Sequence, residues 1–85
     1  MYSYINDNMN LKVGCLLKIL HTDKRNHIAI EQLALIYFSQ NNYQAALKLF
    51  LKSLEIDSRN SNAYVGIVAV CLMYALENKI RFLNI

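Results

Sequence analysis

The chain has 85 residues, 55% of them hydrophobic, with two glycines, no proline and a formal charge of +3. That length allows one domain, burying about 60–65% of the surface that the unfolded chain exposes. So little glycine and proline argues against sheet turns and long loops, and apolar residues in helical periodicity predict an all-α class.

The opening MYSYINDNMN is polar and lacks the basic start and apolar core of a signal peptide. Residues 1–26 become legible when shifted by roughly 34 residues, a common length for a helix-pair repeat. Asn8 then falls on Asn42, Leu17 on Leu51, Lys18 on Lys52 and Leu20 on Leu54. Asp23, Arg25 and Asn26 fall on Asp57, Arg59 and Asn60. The shift predicts a helix tail over Met1–Ile5, a turn over Asn6–Asn8 and a second helix over Met9–His21. Lys12 departs from the pattern, standing opposite the small Ala46.

From His27 to Gln40 the chain is apolar nearly all round, and a helix of that kind needs covering on more than one side. Asn41-Asn42 breaks the run, because Asn tolerates left-handed backbone and caps a following helix with its side chain. Tyr43 to Ile56 resumes with Tyr43, Ala46, Leu47, Phe50 and Leu54 inward. Gln44, Lys48, Lys52 and Glu55 form one solvated stripe. A buried helix, a tight turn and an amphipathic helix make an αα-hairpin.

Leu33, Tyr37, Ala46 and Phe50 stand in the order L…Y…A-x3-F, and this hairpin resembles the tetratricopeptide repeat. Ala34 and Ala46 keep side chains short where the paired helices approach, and Tyr37 and Phe50 fill the remaining space. Ile30 stands where the motif carries Trp, Ala34 where it carries Gly, and Ser58 where it carries Pro. Tyr43 and Ser53 complete the packing set. The resemblance implies hairpins stacked as a short right-handed α-solenoid of about two and a half repeats. Residues 1–26 would be a partial repeat, 27–60 a complete one, and 61–85 a partial or degenerate one.

After Asn60 a further helix opens, with Ala63 on Ala29, Tyr64 on Ile30 and Ile67 on Leu33. The register then degrades, with Gly66 two residues before the motif's small position. Glu77-Asn78 is either a turn before a truncated helix over Lys79–Ile85 or part of an extension of the preceding helix. The longest apolar run, Ala63 to Leu76, is shorter than the roughly 20 residues of a membrane span. No membrane span is therefore expected.

The resemblance also implies a partner surface on the concave face. By position, that face carries Ile28, Glu31, Gln32, Leu35, Phe38 and Ser39. The following helix adds Asn62, Val65, Gly66, Ala69, Leu72 and Met73. The competing expectation is that Leu35, Phe38 and Leu72 only complete the core. No Lys, Arg or Asn on the central positions could clamp a chaperone's terminal carboxylate, and Glu31 would repel one. A hydrophobic or basic helical segment of a partner protein fits better.

Catalytic chemistry has little to work with. His21 and His27 flank a polar turn, where a histidine more often caps helix carbonyls than binds metal. The carboxylates stand singly, and no phosphate loop or activated nucleophile is present. Cys15 and Cys71, in separate apolar helices, are expected as buried core residues in a reducing, cytoplasmic protein. Neither an enzyme nor a cofactor or metal protein is expected. Nucleic acid is disfavoured because no basic stripe is evident. The expected function is a protein–protein interaction module. The alternatives are a fragment of a longer repeat protein and a nucleic-acid-binding helical repeat. The 63–85 end, rich in uncovered apolar residues, is expected to self-associate or to need a partner to keep the chain soluble.

Overall fold

The computed structural model describes residues 2–83, with backbone alone for residues 2–7; Met1, Asn84 and Ile85, part of the expected terminal helices, lie outside it. Four helices follow one another: α1 (Tyr2–Thr22), α2 (His27–Ser39), α3 (Tyr43–Ile56) and α4 (Ser61–Leu83). The chain is all-α, with no strand among the described residues.

The all-round apolar character of α2 explains its place. Among the described residues it alone touches each of the other three helices. One core cluster joins α2, α3 and α4 through Ala34, Tyr43, Ala46, Phe50, Ala63 and Val70. A second joins α1 to α2 through Leu16, Ala29, Leu33 and Ile36, and Tyr37 and Leu49 pack against both. Ala34 and Ala46 are fully buried, so the hairpin helices approach closely where their side chains are short. Phe50 and Ile30, almost wholly buried, each contribute about 1.5–3 kcal/mol of burial. The helices are drawn out: the radius of gyration is 14.4 Å, against about 12 Å for a compact domain of this length.

The α2–α3 turn is built by its two asparagines. Asn41 takes the left-handed conformation at φ 62°. This lets the Asn41 and Asn42 amides reach back to the carbonyls of Phe38 and Tyr37 at 3.0 and 2.9 Å. The Asn42 side chain caps α3 by accepting from the Ala45 amide, and Tyr43 Oη donates to Asn41 Oδ1. All four residues of the expected α3 stripe are exposed.

The two remaining turns share one construction. Asp23 Oδ1 accepts from the Arg25 amide at 3.3 Å, and Asp57 Oδ1 from the Arg59 amide at 3.1 Å. In both turns the amide of the asparagine that follows donates to the aspartate carbonyl at 3.2 Å. These local side-chain bonds stop one helix and start the next without glycine or proline.

Three expectations are corrected. The turn over Asn6–Asn8 does not form, and α1 runs unbroken from Tyr2 to Thr22. Likewise α4 continues through Glu77-Asn78 to Leu83, so the extension reading holds and the second-helix reading does not. The reason is common to both. A short segment folded back alone pays helix nucleation for few bonds, whereas continuing an existing helix adds one bond per residue. The third correction concerns the cysteines: Cys15 and Cys71 are exposed free thiols. Cys71 lies on the rim of the α3–α4 contact, where it lines a pocket with Tyr43, Gln44 and Leu47.

At 23 residues with a mean hydropathy of 1.4 over an 18-residue window, α4 is long and apolar enough to cross a membrane. The apolar run read from the sequence was shorter because Glu77 to Arg81 interrupts it. In the fold, one face of α4 packs on α3 through Ala63, Gly66 and Val70.

Candidate functional site: a groove between α2 and α4

Helix α2 and the first half of α4 lie side by side over α3 and leave a groove of about 250 Å³ between them. Glu31, Gln32, Leu35 and Phe38 line it from α2; Asn62, Val65, Gly66 and Ala69 line it from α4. Phe50 of α3 forms its floor. Gly66 lets α4 come close to this floor: a Cβ there would lie 2.5 Å from the Phe50 ring.

Of the residues expected on the partner face, the groove gathers Glu31, Gln32, Leu35, Phe38, Asn62, Val65, Gly66 and Ala69. Ile28 and Leu72 stay outside it and are exposed, Ser39 lies at the exposed end of α2, and Met73 packs against the core. The choice between groove and core is divided residue by residue. Leu35 and Leu72 are 49% and 66% exposed, while Phe38 is half-buried against the core and the Tyr43 ring. Phe50, expected only as packing, also serves as groove floor.

At one end of the groove sits a polar cluster that the sequence reading missed. Glu31 Oε2 accepts from Ser53 Oγ at 3.0 Å, from the Asn60 side-chain amide, and from His27 Nδ1 at 2.9 Å. The Asn60 amide also donates to Ser53 Oγ at 3.0 Å, while its Oδ1 accepts from the Asn62 amide. A carboxylate only accepts, so the proton on the near side of His27 is on Nδ1. Its 3.4 Å approach to the Asn60 amide is then proximity between two donors. The cluster ties α2, α3 and the start of α4 together. His27 therefore serves a carboxylate rather than helix carbonyls.

Ser53 is fully buried, Glu31 7% exposed and Asn60 9%. Burial by itself raises the Glu31 pKa, but the hydrogen bonds from His27, Asn60 and Ser53 outweigh it and hold it below its ordinary value. All three bonds fall on Oε2. Glu31 is also one of the residues that line the groove. The groove is therefore apolar with a carboxylate at one end. The signals were present in the sequence: a His–Glu pair spaced i, i+4, and a serine on the inward face of α3 between Phe50 and Leu54.

The cluster resembles a Ser–His–acid triad in composition only. Ser53 donates to the carboxylate and not to the imidazole, so no base is placed to take its proton. No group of three or more metal-binding side chains occurs among the described residues. Compared with known protein families, with curated proteins and with solved structures, the chain matches none of them.

Proposed function

We propose that this protein is an interaction module of the tetratricopeptide type, cytoplasmic and without catalysis, whose α2–α4 groove takes a helical segment of a partner protein. The observation that carries this reading is the groove itself. It is an open apolar channel, walled by the exposed Leu35 and Val65, with a single carboxylate at one end. An amphipathic helix with aliphatic residues on one side and a lysine or arginine at the matching turn is the complementary ligand.

The solenoid reading is supported by the paired turns one repeat length apart, by the close α2–α3 crossing at Ala34 and Ala46, and by the drawn-out shape. Two free exposed thiols suit a reducing compartment. Lys12, Lys18, Lys48 and Lys52 are exposed but divided between α1 and α3, and the groove holds none of them. This favours a protein ligand over nucleic acid.

A synthetic Leu- and Lys-bearing amphipathic peptide, followed by fluorescence anisotropy, tests the reading. Binding should be lost in Leu35→Arg and Val65→Arg and retained in Lys48→Ala with Lys52→Ala. Loss in the α3 variant with retention in the groove variants would move the site to the convex surface.

A further inference from the structure

We infer that the partner of this groove and of the exposed α4 face that adjoins it at Val65 is a second copy of the chain, brought by an antiparallel two-fold pairing of α4 with α4. This rests on the groove reading above and names its partner. At about 100° per residue, Ala63, Gly66 and Val70 share the face of α4 that packs on α3. On the far side run Val68 and Leu72, with Val65, Leu76 and Leu83 toward one flank, all between 51% and 72% exposed, and Phe82 at 75% toward the other. A helix with a core on one side and an aliphatic seam on the other has two faces to cover. Only one is covered.

Two observations select the second copy. The first is area. Together these six side chains offer on the order of 500 Å² of apolar surface. A standard interface of about 800 Å² per partner, a little over half of it apolar, requires about the same. The second is charge complementarity. Turning a second α4 antiparallel about Leu72 sets Leu72 against its own copy and Leu76 against Val68. It sets Lys79 against Val65. Lys79 is the one charged residue within the seam, and Val65 is the groove wall beside Glu31. The Lys79 ammonium of the second copy then comes to the groove that Glu31 lines. By the two-fold, the first copy's Lys79 does the same in return, as an isologous interface demands. In a parallel pairing the two Lys79 ammoniums would instead face each other in the seam. A lysine at one seam position thus selects orientation.

Sedimentation equilibrium over a wide concentration range should show a monomer–dimer equilibrium, shifted to monomer by Leu72→Asp with helicity retained. In a Cys15→Ser, Cys71→Ser background, oxidation should cross-link Leu72→Cys to a dimer. It should cross-link the Val65→Cys, Lys79→Cys double variant, but not Val65→Cys alone. A parent chain that stays monomeric throughout, a dimer indifferent to Leu72→Asp, or cross-linking by Val65→Cys alone overturns the pairing. So does a monomer that floats with phosphatidylcholine–phosphatidylglycerol vesicles, which would give the seam to a membrane surface. The two readings fail separately. A parent that stays monomeric yet binds the Leu–Lys peptide refutes the pairing and keeps the groove. A Leu72→Asp monomer that binds no peptide counts against the groove as a general helix site and leaves the pairing standing.

Discussion

Gly66 and Phe50 meet where α4 crosses α3, with the Phe50 ring occupying the space in which any other residue at 66 would place its Cβ. Phe50 is 2% exposed and belongs to the cluster joining α2, α3 and α4, so the ring has little room to yield. The same contact sets the depth of the groove. Packing and ligand surface therefore depend on one missing methyl group.

Gly66→Ala should consequently destabilise the fold. Overpacking costs about 1–3 kcal/mol, and the gain in helix propensity returns only about 1 kcal/mol. Gly14→Ala provides the contrast, because nothing lies within 4 Å of a Cβ placed there. It should gain roughly 0.5–1 kcal/mol from propensity alone. Urea melts of the two variants should move in opposite directions. A shift in the same direction would mean that α4 does not cross α3 at Gly66.

The polar cluster makes stability depend on acid. The folded-state pKa of Glu31 is depressed. Its contribution is therefore fully present above the unfolded-state value, near 4.5, and is lost as pH falls through the folded-state value. The urea midpoint should drop below that range in the parent protein and drop less in Glu31→Gln. At neutral pH, Glu31→Leu should cost about 1–3 kcal/mol by leaving the buried Ser53 and Asn60 donors unpaired. Identical pH profiles for parent and Glu31→Gln would show that Glu31 is not the group responsible.

Asn41 tests the hairpin turn. Its φ of 62° suits glycine and asparagine and strains a β-branched residue. Asn41→Val should cost about 1–2 kcal/mol from backbone strain, with further loss from the Tyr43 hydroxyl bond. Asn41→Gly should keep the backbone and lose only that bond. Thermal melts that place the two variants together would show that the turn has adopted a different conformation.

The sequence by itself determined the helical class, the Asn41-Asn42 turn, the amphipathic sidedness of α3 and the similar turns at Asp23–Asn26 and Asp57–Asn60. These follow from short-range rules: periodicity, capping and side-chain bonds two or three residues apart. Most of the groove residues were expected on one surface only through the resemblance to the tetratricopeptide repeat. Tertiary structure decided the rest. Whether Asn6–Asn8 and Glu77-Asn78 bend depends on having something to fold back upon, and composition cannot express that. Cys15 and Cys71 look like core residues until the neighbouring helices are placed and leave them outside. Glu31, His27, Ser53 and Asn60 become one cluster only when three segments meet, because a hydrogen bond between residues 22 or 29 positions apart has no local signature. Leu35, Phe38 and Leu72 read equally as core and as surface, and only the packed helices leave Leu35 and Leu72 exposed and Phe38 against the core.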